Sequence, residues 1–137
     1  MSRLIEQLKR HEGLRLKPYR CTAGKLTIGY GRNLDDFGIT ENEAESMLIT
    51  NADLVGNELV VKLPVLRELN SAREEALINM AFNIGVSGLL EFKKMIAALE
   101  NADYDEAAKQ MLDSKWARQV GSRSAELARQ MQRGEYE

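Results

Sequence analysis

The first thirteen residues place apolar and polar side chains at the spacing of an α-helix. Leu4, Ile5 and Leu8 fall on one face of such a helix, and most of the remaining positions are polar. Ser2 is a favourable N-cap residue, and Gly13 is a residue type that commonly ends a helix. The pattern predicts a short amphipathic helix at the start of the chain.

Between Leu14 and Leu34 the pattern changes, because one proline and three glycines interrupt short stretches of Leu, Tyr, Thr and Ile. Such stretches favour a small antiparallel sheet, with a turn at residues 22–24 between the sequences YRC and KLTIGY. The Gly29-Tyr30-Gly31 sequence lacks a third spaced glycine and a following helix. It therefore does not indicate a nucleotide-binding loop.

Helical signals dominate after residue 38. Thr40 and Glu43 form a T-x-x-E capping box, which predicts a long helix that reaches residues 55–62 and ends before Pro64. Ser71 and Glu74 form a second such box, followed by the apolar run ALINMAF and by a glycine at position 85.

The ALINMAF run is apolar almost all round, which predicts the buried central helix of a helical lobe. Met80 and Phe82 within it are more typical of a core than of a cofactor site. Asn101 and Gly134 are stop signals for later helices. These are expected at Leu90–Leu99, Tyr104–Leu112 and Ser124–Gln132.

Together the elements predict an α+β fold in a single domain spanning residues 1–137. Its small lobe, with a short antiparallel sheet, is expected at about residues 12–45. A long connecting helix then leads to a larger helical lobe at about residues 60–137, with which the N-terminal helix is grouped. Clefts between lobes are common ligand sites.

The amino-acid composition excludes several classes of protein. The chain has 137 residues with one Cys and one His, which excludes an internal disulfide and is too few for a protein-ligated zinc site. We expect no metal and no cofactor. No run approaches the roughly 18 apolar residues of a membrane-spanning helix, and the start lacks a signal-peptide pattern. We therefore expect a protein folded in a reducing cytoplasm without stable membrane association.

Charge is unevenly distributed although the net charge is only −2. Residues 1–34 carry eight Lys or Arg against two Glu, whereas residues 35–62 carry seven acidic residues against one Lys. A basic segment suits an anionic partner such as nucleic acid, an anionic lipid surface or a charged cell-wall polymer. It is equally compatible with a solvated basic face balanced by the acidic segment.

Three reactive side chains stand close together in the sequence. Glu12 is predicted at the end of the first helix, with Cys21 and Thr27 in the hairpin that follows. A helix end facing a hairpin can hold such groups around one reacting atom, although spacing alone is weak evidence. For Cys21 the alternatives are a small buried hydrophobe and, less favoured, a protease dyad with His11.

The local sequence says more than the spacing. E-G-L-R-L-x-x-Y, which begins at Glu12, and the following G-x-x-T-I-G-x-G resemble the catalytic segment of phage-type lysozymes. These are the endolysins of glycoside hydrolase family 24, typified by the lysozymes of T-even bacteriophages. The GIT and EAE sequences in residues 38–45, ALINMAFNIG with Gly88 and Phe92, and SKW with Arg123 are similar to later parts of that family. The resemblance covers nearly the whole chain and implies a lysozyme-like fold.

The resemblance implies an enzyme that cleaves the β-1,4 bond between N-acetylmuramic acid and N-acetylglucosamine in peptidoglycan and so lyses the host cell. Glu12 would be the general acid, and Cys21 with Thr27 would place and activate water. Cys21 stands where the T-even enzymes have the catalytic aspartate. The family pattern allows Asp or Cys at this offset. A shorter connection after Leu34 is the other departure.

The resemblance also implies substrate contacts at other positions of this chain. Arg123 matches an arginine that can pair with the catalytic Glu, and Phe82 and Asn83 match positions that face the glycan groove. Arg32 and Asn33 replace a His and a Leu of the family. Trp116 could stack on a sugar, but a lone Trp between helices is more typical of packing.

Two physical conditions follow for this chemistry. A general acid at neutral pH needs a pKa above about 4.3, which partial burial of Glu12 in a cleft would supply. A thiol with a pKa of about 8.5 is a poor base at pH 7. Either nearby cations lower the thiol pKa, with Arg20, Lys25 and Arg32 as candidates, or a neutral sulfur orients water.

The resemblance also implies partners and location. The expected partner is the glycan strand of peptidoglycan, and the expected state is a monomer in the host cytoplasm until lysis, then in the periplasm or cell wall. Release would depend on a separate holin. The alternatives are a non-catalytic lysozyme-like glycan-binding module and a small basic nucleic-acid-binding module, whose affinity would fall steeply with salt.

Overall fold

The computed structural model describes residues 2–137. Within that range the chain forms eight α-helices, three strands and one 3-10 helical turn. The elements are α1 Ser2–Glu12, β1 Arg15–Arg20, β2 Leu26–Gly29, β3 Arg32–Asn33, α2 Glu41–Lys62, the 3-10 turn Pro64–Glu68, α3 Ser71–Ile84, α4 Val86–Leu90, α5 Lys93–Glu100, α6 Tyr104–Leu112, α7 Lys115–Val120 and α8 Ser122–Arg133. The predicted α+β class is confirmed.

Two compact units divide the chain. The first runs up to Met47 and the second covers Leu48–Glu137, so the boundary falls within α2. Helix α1 belongs to the first unit together with the three strands. The expectation from the sequence was that this helix groups with the helical lobe.

In the first unit, the three strands form an antiparallel sheet in the order β1-β2-β3. The β1–β2 register shifts between Arg15 and Tyr19, around Pro18, which has no N–H to donate to the ladder. The predicted turn is confirmed, because the Gly24 amide donates to the Cys21 carbonyl at 2.8 Å and the Cys21 amide donates to the Lys25 carbonyl at 2.9 Å. This tight hairpin fixes the start of β2.

The capping box at the start of α2 is confirmed. The Thr40 amide donates to Glu43 Oε1 at 2.8 Å, and the Glu43 amide donates to Thr40 Oγ1 at 3.1 Å. The second predicted box is wrong, because Asn70 rather than Ser71 caps α3 and accepts from the Arg73 amide at 3.0 Å. Both residue types are good N-caps, so pattern alone leaves the boundary uncertain by one residue.

The later helices match the prediction in part. Helix α6 has the predicted bounds, but α5 begins three residues later than predicted and α8 begins two residues earlier. The 3-10 turn, α4 and α7 were not predicted as separate elements, because five or six residues are too few for a helical repeat to show in sequence.

The second unit contains the apolar core. Leu77 and Met80 of α3 are fully buried, as predicted for the central helix, and Trp116 is buried as expected for a packing residue. Phe82 is 40% exposed, so its assignment to the core is wrong. It falls on the opposite face of α3 from the buried positions, and an apolar residue type does not by itself reveal which face it occupies.

Side-chain hydrogen bonds join the start of α3 to the end of α8. Arg73 Nε donates to the Met131 carbonyl at 2.7 Å, and Asn70 Nδ2 donates to the Gly134 carbonyl at 2.8 Å. The Arg73 guanidinium also lies 3.7 Å from the centre of the Tyr104 ring. A cation at a helix C-terminus satisfies its free carbonyls and interacts favourably with the helix dipole.

Candidate active site

Glu12 is the last residue of α1. The helix ends here because the Gly13 amide donates to the Lys9 carbonyl at 2.9 Å and Gly13 adopts a left-handed φ of +73°. Glu12 is exposed in the described structure, and its partial burial in a cleft stays a prediction.

Cys21 and Thr27 are brought together by the hairpin. Cys21 follows β1 directly, and Thr27 lies in the central strand β2 between Tyr19 and Asn33 of its neighbours. Hydrogen bonding from the backbone of Lys25, then from that of Ala23, lowers the pKa of the Cys21 thiol.

The proposed cationic activation of the thiol is not what lowers this pKa. Arg20 donates to the Gly24 carbonyl at 3.2 Å and pairs with Asp35, while Lys25 pairs with Asp36 at 3.1 Å. These cations are already neutralised by carboxylates. Main-chain hydrogen bonds, rather than the candidate cations, are therefore the leading cause of the lowered thiol pKa.

Thr27 is a buried polar residue, with 4% of its surface exposed. Its hydroxyl donates to the Lys25 carbonyl at 2.9 Å, which satisfies the single proton that the group can give. With that proton engaged, the oxygen lone pairs can accept a hydrogen bond. Such an oxygen is suited to orient a water molecule by accepting one of its protons.

Arg32 and Asn33, both of β3, are tied into the fold. Two guanidinium nitrogens of Arg32 donate to the two carboxylate oxygens of Glu43, each at 2.7 Å, and Nη1 also donates to the Gly38 carbonyl. Asn33 donates to the Asp36 carboxylate at 2.9 Å and accepts from the Asp36 amide at 3.0 Å. Glycan contact by either residue stays a prediction.

Glu43 and Asp35 are two carboxylates whose roles the sequence analysis missed. Hydrogen bonds from the Arg32 side chain, and then from the Thr40 backbone, lower the pKa of Glu43 to about 2. Asp35 accepts from the Leu26 amide at 2.7 Å and so anchors the start of β2. The capping box marked Glu43 in the sequence, but nothing there indicated its second partner.

The remaining predicted residues belong to the second unit. Asn83 accepts from the Trp116 indole N–H at 2.8 Å. Arg123 donates to the Asn79 side-chain oxygen through Nε at 3.0 Å and through a terminal nitrogen at 2.7 Å. Asn79 was not predicted, although it lies three residues before Phe82 in α3. A groove of about 410 Å³ is lined partly by Asn79 and Phe82.

The family assignment comes from comparison with known proteins. A family model described as phage lysozyme matches residues 9–135. This chain belongs to the phage lysozyme family. The match includes the helix end, the hairpin and all eight predicted site residues.

Individual relatives agree with the family match. A probable T4-type lysozyme of Dictyostelium discoideum is 31% identical over 90% of this chain and 90% of its own length. An endolysin of Acyrthosiphon pisum secondary endosymbiont phage 1 is 31% identical over 81% of this chain and 75% of its own length. The pre-baseplate central spike protein of Enterobacteria phage T4 is 32% identical over 90% of this chain, which spans only 26% of that protein.

Two further observations describe this phage lysozyme family member. Within residues 2–137, no group of three or more His, Cys, Asp or Glu side chains is placed to hold a metal ion. Over the same residues, no helix is both long enough and apolar enough to cross a membrane.

Proposed function

We propose that this chain is a lysozyme that hydrolyses the β-1,4 bond between N-acetylmuramic acid and N-acetylglucosamine in peptidoglycan, and that it acts as an endolysin in host cell lysis. The observation that carries the proposal is the phage lysozyme match over residues 9–135, which spans the segment holding Glu12, Cys21 and Thr27. The two units would together form one catalytic domain.

In this mechanism Glu12 protonates the leaving oxygen as general acid. Cys21 and Thr27 act on the water that attacks the anomeric carbon. The lowered pKa of Cys21 supports a thiolate that accepts the water proton, and the Thr27 oxygen, whose own proton is engaged, supports orientation of the same water. A neutral sulfur that only orients water and a sulfur nucleophile are the alternative roles for Cys21.

Glycan contacts would come from both units. Phe82 offers an exposed aromatic face beside the 410 Å³ groove, and sugar rings pack against such faces. Asn83 and Arg123 would add polar contacts, since each is held in place by a side chain of its own unit. Arg32 and Asn33 are proposed as contacts on the first unit.

The non-catalytic alternatives are not favoured. The family match and the lysozyme and endolysin relatives favour an enzyme over a glycan-binding or nucleic-acid-binding module. The basic residues of the first unit are also partly paired, as Arg20, Lys25 and Arg32 show.

We further propose that the protein acts as a monomer. It would remain in the host cytoplasm until a separate holin opens the membrane, and would then reach the periplasm and cell wall. The endolysin among its relatives supports this route. Expression in Gram-negative cells should leave turbidity unchanged until the inner membrane is permeabilised.

A lysis assay on outer-membrane-permeabilised Gram-negative cells tests the activity. Glu12→Gln keeps the shape of the side chain but removes the acidic proton, so lysis should fall at least about 100-fold with the fold intact. Glu6→Gln is the matched control, because Glu6 is an exposed glutamate of the same helix. Near-parental lysis by a well-folded Glu12→Gln protein would refute the mechanism.

A further inference from the structure

The Glu12 side chain lies against the backbone of Gly31, so close that a side chain at position 31 would clash with it. A β-carbon at position 31 would lie 2.6 Å from Glu12 Oε2, 3.1 Å from Cδ and 3.5 Å from Cγ. The first of these distances is shorter than any normal contact between a carbon and an oxygen atom. The carboxylate therefore occupies the space that a side chain at position 31 would need.

Gly24 and Gly29 of the first unit show that a left-handed φ does not by itself produce such a clash. Gly31 has a left-handed φ of +81°, and Gly24 and Gly29 have similar values of +78° and +71°. A β-carbon at Gly24 or Gly29 would meet nothing within 4 Å. Left-handed φ alone explains glycine at those two positions, whereas Gly31 meets a second requirement set by Glu12.

The contacted atoms decide what a substitution would do. They form the far end of an exposed, flexible side chain, so a methyl group at position 31 would push Glu12 into another rotamer without unfolding the protein. That rotation moves the carboxylate itself. Misplacement of a catalytic group by about 1 Å can cost on the order of 100-fold in rate.

From this geometry we infer that Gly31 is a positioning residue for the general acid: the absence of a side chain at position 31 leaves the space in which the Glu12 carboxylate lies. The inference rests on the proposed function of Glu12. It also gives a role to the second glycine of the Gly29-Tyr30-Gly31 sequence at the end of β2, which carries no nucleotide-binding signal.

The kinetic test compares Gly31→Ala with Gly29→Ala, which imposes the same left-handed strain without the clash. Both variants should fold, and Gly31→Ala should lower the thermal unfolding midpoint more than Gly29→Ala does, because it also displaces the Glu12 side chain. Only Gly31→Ala should lose kcat, by at least about tenfold, with KM on soluble peptidoglycan fragments nearly unchanged. Its pH profile should also shift, because displacing the carboxylate changes the surroundings of the general acid. Equal kcat values and pH profiles for the two variants would overturn the inference.

A second measurement does not depend on activity. Glu12→Ala removes the contacted atoms, so adding Gly31→Ala should lower the unfolding midpoint less in that background than in the parent, whereas Gly29→Ala should cost the same in both. Equal costs for Gly31→Ala in both backgrounds would overturn the inference. A fully active Glu12→Gln protein would instead refute the proposed role of Glu12 as general acid while leaving this steric coupling intact.

Comparing the parent and Glu12→Ala backgrounds remains informative if Gly31→Ala prevents folding. If Gly31→Ala alone does not fold, folding of the Glu12→Ala/Gly31→Ala protein supports the steric fit. Failure of that double variant, when Gly29→Ala folds, would place the constraint on Gly31 elsewhere and overturn the inference.

Discussion

At the scale of single residues, hydrogen bonds from the main chain, rather than nearby cations, lower the pKa of the Cys21 thiol. The hairpin turn directs backbone hydrogen bonds of Lys25 and Ala23 to Cys21, and these favour the thiolate. Arg20 and Lys25, the nearby cations, are occupied by aspartates. A base held in this way depends on the turn being intact, and less on ionic strength than one activated by surface charges.

The role of Cys21 can be tested by its pH profile. Activity that needs the thiolate should rise with pH through the lowered thiol pKa. Cys21→Asp should stay active and reach its maximum at lower pH, because a carboxylate has a much lower pKa than a thiol. Cys21→Ala should lose at least about tenfold in lysis rate, and thiol alkylation should inactivate the parent. Lysis rates from pH 5 to 9 measure these effects.

Circular dichroism provides the folding control for that series. If Cys21 were only a packing residue, Cys21→Ala would keep its activity and lose stability, and a buried Asp would be the least tolerated substitution. An alanine variant as active as the parent across the whole pH range would exclude a catalytic role for the sulfur.

The stereochemistry of the product gives an independent test at the same scale. Water placed by Cys21 and Thr27 attacks opposite the leaving group, so cleavage should invert the anomeric carbon and release α product. Inverting enzymes separate acid and base by about 6.5 to 9.5 Å, whereas a direct nucleophile stands about 5 to 5.5 Å from the acid. Proton NMR of the first-formed reducing end distinguishes these, and β product would contradict the water mechanism.

At the scale of elements, one ion pair joins β3 to the start of α2. Arg32 binds Glu43 through two parallel hydrogen bonds, and Glu43 also closes the Thr40 capping box. Planar paired contacts of this kind are stronger than ordinary surface ion pairs. One carboxylate thus both fixes the strand and caps the helix.

This pair predicts an acid-dependent loss of stability. The folded-state pKa of Glu43 is lowered to about 2, below the ordinary 4.5. The stabilisation is therefore present above about pH 4.5 and is lost as the pH falls through 2. Glu43→Gln should lower the urea midpoint at pH 6, and its difference from the parent should shrink towards pH 2. A constant difference would contradict the pair's contribution.

The matched control for this experiment is Glu45→Gln. Glu45 lies two residues further along α2, is exposed, and makes no ion pair in the part of the chain that the structure describes. Its midpoint difference from the parent should be small at every pH.

Sequence patterns located the long elements because many residues repeat one signal. Thr40 and Glu43 marked the start of α2, and α6 was placed within its observed bounds. The choice between Asn70 and Ser71 failed because adjacent residues were equally good caps. Short helices escaped detection because they complete fewer than two turns.

At the scale of the whole molecule, buried apolar side chains are unevenly distributed. All those found among residues 2–137 lie in the second unit, from Leu59 onward, and Thr27 is the buried residue of the first unit. Apolar burial is the main favourable term in folding. The first unit must therefore depend more on hydrogen bonds, such as those of its sheet.

This distribution predicts different local stabilities. Backbone amides of β2 should exchange with solvent through openings of lower free energy than those of α3 and α8. Hydrogen exchange followed by mass spectrometry should give protection factors at least about tenfold smaller in the sheet. Equal protection in both units would show that they unfold as one cooperative body.

The candidate site was predictable only where the local sequence was distinctive. Glu12, Cys21 and Thr27 stood out because the short sequences around them, E-G-L-R-L-x-x-Y and G-x-x-T-I-G-x-G, resemble a known catalytic segment. The partners of Arg20 and Arg123 could not be predicted, because Asp35 and Asn79 are distant in sequence and meet them only after folding. Exposure of Phe82 likewise depends on which face of α3 packs inward.

The buried indole of Trp116 has a consequence for spectroscopy. It is the only tryptophan of the chain and lies in the second unit, with its N–H bound to Asn83. Its emission will therefore report the melting of that unit. A variant that loses lysis while its emission spectrum and melting curve stay unchanged has been damaged outside the part of the protein that this fluorophore reports.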